Sequence, residues 1–365
     1  MLVPRHPGVA RAGGVGVAVL LAACGTPKPV APPLELASPT DTLEVPFRDA
    51  AGAVWLGAGR WALVSEGSGV VTIVDFAARR GAPLGGPKTT ELRNPFALFR
   101  SGDSLWVADW GLRRLSVWSL DGRFGRGVPT ADITRGALAR MRDAAGRFYV
   151  PLLPPGGRDG SGNRDSGAVV RTAPDFSRID TLARLAPLDI AEVEGDAGRR
   201  FERRVFSGTD QWGALADGSL WVARVYQNRV DWRDSTGHWT TGEALPDRVL
   251  EVTRADRELF VRTFPPELRN TAEQLPFAPV KAPFEAAFTS ADGLVWLQKS
   301  RSPLDSTGSW HVVDREGRLI REIRLRGPGR ILAAAAGAAL AIEPDSGRLR
   351  VLQVIVPPLV SQGAS

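Results

Sequence analysis

The sequence predicts an all-β protein, a six-bladed β-propeller of four-stranded antiparallel blades over residues 40–356, with a short helical insertion between blades 4 and 5. Three observations predict it. A strand-and-turn unit recurs along the chain, its spacing approximates one propeller blade, and tryptophans return at equivalent places in the copies.

The clearest copy runs from Asn94-Pro95-Phe96 to Phe124. It holds a turn at Ser101-Gly102-Asp103, an apolar run Leu105-Trp106-Val107-Ala108, a second turn, an alternating run from Leu115 to Trp118, and then Asp121-Gly122. Copies return at 212–240 and 288–319, with weaker ones at 60–75, 146–175 and 339–352. Aligned on Trp106, the equivalent residues are Ala62, Tyr149, Trp221, Trp296 and Ala341, and successive intervals are 44, 43, 72, 75 and 45 residues. Three intervals fit a blade of roughly 40–50 residues, and two fit a blade plus an insertion of about 30. Short β-branched and aromatic runs between Asp-Gly and Ser-Gly clusters read as strands joined by turns. A blade cannot bury both faces alone, so Trp106, Trp118, Trp221, Trp232 and Trp296 are read as packing between blades. Six blades is the count, with seven open if an insertion hides another.

Elsewhere the pattern breaks or begins. Residues 248–276 are charged, with apolar positions at Val249, Val252, Leu259, Phe260 and Phe264 spaced as on a helix that Pro265-Pro266 should stop. That helix would cover a rim or a channel mouth. Residues 186–204 are a second insertion without a readable motif. Thr42-Leu43-Glu44-Val45 is expected to pair into the last blade and close the ring. The apolar run from Ile331 to Ile342, broken by Gly337, is read as blade 6 strand, being too short for a membrane span.

The N-terminus reads as an address. Residues 1–23 carry Arg5 and Arg11, no acid, and an apolar stretch from Val15 to Ala23. A short apolar run behind a positive start is a secretory signal rather than a transmembrane helix. It ends in Leu21-Ala22-Ala23-Cys24-Gly25, which resembles the bacterial lipobox. The resemblance implies cleavage before Cys24 and thioether diacylglycerol on it. Gly25, in place of Asp, implies sorting to the outer membrane if the organism has one. Residues 24–39 would then be the lipidated cysteine and a tether. The five prolines of 25–39 favour an extended spacer, and no secondary structure is expected there. Residues 357–365 would be a flexible tail.

Composition narrows the functions. The 46 basic residues against 40 acidic include only four lysines, and arginine is spread along the whole chain. A nucleic-acid footprint would be clustered, so no nucleic-acid partner is expected. Cys24 is the single cysteine, which excludes an intramolecular disulfide framework and a cysteine zinc cage.

Blade 2 resembles an NHL-type repeat, with Pro95 before its first strand, Leu105-Trp106-Val107-Ala108-Asp109, then Arg114-Leu115-Ser116-Val117. Residues 40–356 as a whole resemble the six-bladed propellers of the NHL and TolB-like superfamily, most clearly in blades 2, 4 and 5. They are also similar to bacterial propeller proteins that carry a third strand like the segment from Tyr226 to Trp232. The resemblance implies a fold and leaves the activity open.

Catalytic motifs are scarce. The sequence has no G-x-S-x-G elbow, P-loop, Rossmann fingerprint or H-E-x-x-H. The metal-holding set of gluconolactonase-like propellers finds no match in the inner-strand regions, and no cofactor or metal is expected. His238 and His311 are read as surface histidines on the outer strands of blades 4 and 5. The loop from Asp159 to Asp165 mimics the first half of a calcium loop, but Arg164 stands where glycine is needed, so it is read as a Gly-rich hairpin.

Turns between second and third strands share a face with the connections between blades. They carry Asp109, Trp110, Arg113 and Arg114 in blade 2, Arg224, Tyr226 and Asn228 in blade 4, and Lys299 and Arg301 in blade 5. Aromatic and arginine residues together suit a partner-binding surface. The expected function is therefore a membrane-anchored lipoprotein of the cell envelope, its lipid on Cys24. Its propeller would bind or scaffold a protein, peptide or glycan partner on the non-cytoplasmic side. The alternative is a metal-dependent hydrolase or lactonase with its site in the central channel.

Overall fold

The computed structural model describes residues 31–45, 47–65, 68–152, 166–195 and 198–359. Cys24 and the expected signal segment, the Asp159–Asp165 loop and residues 360–365 of the expected tail lie outside the described residues.

Six sheets form the blades, and in blades 1 to 5 the second strand is the most deeply buried. Blade 1 comprises Ala50–Gly57, Arg60–Ser65, Val71–Asp75 and Arg80–Pro83. Blade 2 comprises Pro95–Ser101, Ser104–Asp109, Arg114–Ser119 and Phe124–Pro129. Blade 3 comprises Met141–Arg142, Phe148–Leu152, Ala168–Thr172 and Ile179–Arg184. Blade 4 comprises Gln211–Ala214, Leu220–Arg224, Arg229–Arg233 and Trp239–Thr240. Blade 5 comprises Phe284–Thr289, Val295–Lys299, Thr307–Val313 and Leu319–Arg326. Blade 6 takes three strands from the C-terminus, Arg330–Ala335, Ala338–Asp345 and Arg348–Ile355, and its outer strand from Asp41–Val45.

That outer strand closes the ring, because Leu43 pairs antiparallel with Val351 and Val45 with Leu349. The residues aligned with Trp106 in the sequence all fall in second strands. These strands lie mid-blade with a neighbouring blade against each face, which is why they read as unbroken apolar runs. First strands of successive blades touch around the whole circle, blade 6 meeting blade 1.

The core is therefore divided into six layers, one between each pair of blades. Trp106 packs with Phe148 between blades 2 and 3, and Trp118 with Leu84 and Val64 between blades 1 and 2. Trp221 and Trp232 fill the layer between blades 4 and 5, and Trp296 and Trp310 that between blades 5 and 6. Two of these rings also bond across the gap, Trp221 Nε1 donating to Thr289 Oγ1 at 2.7 Å and Trp232 Nε1 to the Asp314 carbonyl at 2.8 Å. Backbone meets backbone there too: a Cβ on Gly317 would lie 2.4 Å from Gly242 Cα, so the approach of the two blades requires glycine.

Several expectations need correction. Leu34–Glu35, expected to be structureless spacer, pairs in parallel with Ile323 and Arg324 at the outer edge of blade 5. The 186–204 insertion is a β-hairpin, Ile190–Gly195 with Gly198–Arg203. The run from Ile331 to Ile342 is two strands, turned at Gly337 with φ of 83°. The rim helix α1 (Arg254–Arg262) lies between blades 4 and 5 and stops before Pro265-Pro266, both as expected, but the prolines are followed by further helical structure that the sequence did not announce. A 3-10 turn at Pro266–Leu268 and a second helix, α2 (Arg269–Glu273), follow them. Proline supplies no N–H yet suits the first positions of a new helical turn.

Candidate functional site

In blade 2 the turn after the second strand is built on a buried carboxylate. Asp109 is fully buried and accepts from three backbone N–H groups, those of Arg93 at 2.7 Å, Asn94 at 3.0 Å and Leu112 at 3.0 Å. It thus ties the incoming inter-blade connection to the turn. Arg113 takes the left-handed conformation that this turn demands, with φ of 50°. Arg114 is folded back onto Glu91 and lies over the Phe124 ring.

Trp110 is left 49% exposed, and its indole stacks on Phe96 with centroids 5.1 Å apart. Phe96 in turn carries Arg140, whose guanidinium carbon lies 5.9 Å from the ring centroid. The column from Trp110 through Phe96 to Arg140 runs from the face into the central channel. Arg140 is open to solvent along that channel yet surrounded by protein, and this desolvation lowers its pKa from the ordinary value. No carboxylate forms an ion pair with it among the described residues.

Blade 4 uses the same turn with different side chains. Asn228 occupies the position of Arg113, with φ of 46°. It is buried, and its side-chain amide donates to the Leu245 carbonyl at 2.9 Å. Arg224 bridges two buried carboxylates, Asp210 at 3.0 Å and Asp231 at 3.1 Å, and also donates to the Arg184 carbonyl. Tyr226 is 56% exposed, and its hydroxyl donates to the Pro187 carbonyl at 3.2 Å. Burial first, and then the charges of Asp189 and Asp210, raise its pKa.

The nine candidate residues therefore separate into two groups. Trp110 and Tyr226 present apolar surface to solvent, with Arg113 at the blade 2 turn. Asp109 and Asn228 are spent on internal hydrogen bonds, and Arg114 and Arg224 on ion pairs that organise the turns. Lys299 is buried between blades 4 and 5, 3.4 Å from Asn228 Oδ1 and 3.3 Å from Asp247 Oδ1. Arg301 Nη2 lies 3.4 Å from the Pro328 carbonyl. His238 is exposed as expected. His311 is not a surface residue: it is only 6% exposed, because its third-strand position faces the cleft shared with blade 4.

The channel itself encloses about 850 Å³ and is walled by the first strands of all six blades. Sequence reasoning missed its aromatic and cationic residues: Trp55, Phe96, Arg100, Arg140, Trp212 and Arg330. They could have been found by reading the first strands for aromatics and arginines as well as for acids. Arg330 is held by Asp49 at 2.6 Å, and Arg315, at the far end, by Asp217 at 2.7 Å. The wall's carboxylates are Asp217 and Asp292. Among the described residues no group of three or more His, Cys, Asp or Glu side chains converges. A wall rich in guanidinium and poor in carboxylate does not fit a divalent cation, which takes six or more oxygens or a set of imidazoles.

No family model matches this chain, and no curated protein matches it. Among solved structures it is similar to a streptogramin B lyase, at 12% identity over 86% of this chain and 97% of that one, with a TM-score of 0.46. It is also similar to the calcium-binding protein regucalcin from Agrobacterium tumefaciens, at 12% identity over 89% and 96%, with a TM-score of 0.42. A third likeness is to a DUF4221 family member from Bacteroides vulgatus, at 11% identity over 89% and 99%, with a TM-score of 0.46. Identities this low transfer no activity.

Proposed function

We propose that this chain is a cell-envelope lipoprotein whose propeller binds a protein, peptide or glycan partner at the channel mouth. The observation that carries the reading is the column of Trp110, Phe96 and Arg140. An exposed indole backed by a second ring and a cation is rigid before anything binds. It therefore offers apolar area at little entropic cost. Tyr226, pinned through its hydroxyl on the same face, extends the surface around the ring. The channel wall supports binding over metal-dependent hydrolysis, since its charges are guanidinium groups rather than a carboxylate set. The anchor rests on the sequence Leu21-Ala22-Ala23-Cys24: diacylglycerol supplies two chains, which is what stable membrane residence needs.

The experiment is site-specific photo-crosslinking in the native host, with a benzophenone amino acid at position 110. Position 238, exposed at the turn between third and fourth strands on the opposite face, is the comparison. A discrete adduct from 110 and none from 238 supports the reading; adducts from 238 alone would move the site to the other face. Cys24→Ser tests the anchor separately, by loss of fatty-acid label and release from the membrane fraction.

A further inference from the structure

The cleft between the outer half of blade 5 and the segment leaving blade 4 holds a second, chemically different pocket of about 660 Å³. Strand register puts its wall on one face of three strands. His311 lies opposite Leu297 on one side and Glu322 on the other, and Ser309 lies opposite Arg324. Lys299, two residues beyond Leu297, falls diagonally from His311 on that face. The floor is thus a buried ammonium beside a buried imidazole, which a structural core does not require.

Neither group is fully used by the protein. His311 Nδ1 is buried with no hydrogen-bond partner among the described residues. Burial first, and then the charge of Lys299, depresses the imidazole pKa to about 4, so the ring is neutral at neutral pH. Lys299 has three N–H donors and two long protein contacts, to Asn228 and Asp247. A buried polar group left without a partner costs about 1–3 kcal/mol, and unlike the unpartnered core indoles His311 lines a pocket together with Lys299, where a ligand could meet it.

Charge and lining identify the missing partner. Arg248 pairs with Asp305, Lys299 with Asp247, and Arg324 with both Glu322 and Glu35. Arg301 and Arg326 border the pocket with no ion pair among the described residues. Five cations against four carboxylates leave one positive charge, which suits a monoanion. The hydroxyls of Ser300, Ser306, Thr307 and Ser309 line the same space, where apolar surface is small. We propose that this pocket binds a hydroxylated monocarboxylate of the sugar-acid class. Its carboxylate would sit against Lys299 and His311, and its hydroxyls against the serine and threonine side chains. The site is independent of the channel-mouth reading, and the failure of either leaves the other standing.

The test is titration calorimetry on the full chain in detergent, with glucuronate as the probe and glucose and inorganic phosphate as comparators. The expected result is saturable binding of glucuronate alone, weakened about tenfold by Lys299→Ala through loss of a charge-assisted contact. Arg326→Ala, at the open side where folding is not at stake, is expected to weaken it about threefold by the same reasoning. Absence of saturable binding at millimolar glucuronate would overturn the proposal. So would glucose or phosphate binding as well as glucuronate, or wild-type affinity in a folded Lys299→Ala protein together with Arg326→Ala.

Discussion

At the residue scale, Asp109 and Trp110 are sequence neighbours with opposite work. Asp109→Ala strips three backbone N–H groups of their acceptor in a buried turn. That should cost about 3 kcal/mol and lower the melting temperature by several degrees. Trp110→Ala removes exposed surface and should leave the melting temperature nearly unchanged while reducing partner crosslinking at neighbouring positions. Arg224 belongs with Asp109, since Arg224→Ala would leave Asp210 buried without its cation and Asp231 with Arg229 alone. Calorimetric melts of the three variants check the division. His311 gives a pH signature. Its pKa is about 4 in the folded protein against 6.5 in the unfolded chain, so the unfolded state takes up the proton first on acidification. Its contribution is complete above pH 6.5, declines as pH falls towards 4, and changes no further below that. The full span is about 3 kcal/mol. The groups facing it are Lys299, which depresses the pKa, and Glu322 across the strand pair, which Arg324 holds. Urea melts at pH 7 and pH 5 should show wild type losing more stability than His311→Gln; equal losses would mean that the imidazole takes up its proton as readily in the fold as in the unfolded chain.

At the element scale, the rim helix α1 is the part most separable from the ring. Thr253 caps it in a reciprocal box with Asp256, and Asp256 also pairs with Lys281 on the segment leading into blade 5. Thr253→Val should cost about 1 kcal/mol and loosen the helix locally, seen as faster proteolysis near Arg257 and Arg262 with the propeller melt little changed. A large fall in the main transition would mean that α1 is part of the core. What the sequence made legible follows the same division. Second strands could be read because a neighbouring blade covers each of their faces, which forces runs such as Leu105-Trp106-Val107-Ala108. The hairpin at 190–203 could not, since both its strands alternate charged residues with few apolar ones and it packs little. The candidate face was half legible: turn position revealed Trp110 and Tyr226, but not that Asp109, Asn228 and Lys299 point inward. Burial of a polar residue depends on which backbone N–H groups and charges converge from distant segments, and Asp109 meets Arg93 and Asn94 only once blade 1 has been joined to blade 2.

At the scale of the whole molecule, six thin cores between blades have no independent existence, because each is completed only by its neighbour. The ring therefore stands or falls at its seam. Blade 6 draws its outer strand from residues 41–45, and the core between blades 6 and 1 contains Leu43 and Val45 beside Trp61, Leu340 and Val351. Arg348 with Glu44 and Arg79 with Asp41 add surface ion pairs, which contribute little by comparison. Removing the chain through Val45 would expose the edge of Arg348–Ile355 and uncover apolar side chains from two blades at once. Beginning the chain at residue 33, by contrast, keeps the clasp and the short pairing of Leu34–Glu35 with blade 5. The expected result is one cooperative melt for the protein beginning at residue 33, and loss of that transition with dye-binding apolar exposure for one beginning at 47. Retention of a single wild-type-like transition without residues 41–45 would show that the other five interfaces suffice to hold the ring, and that the seam is a convenience of chain direction rather than a source of stability.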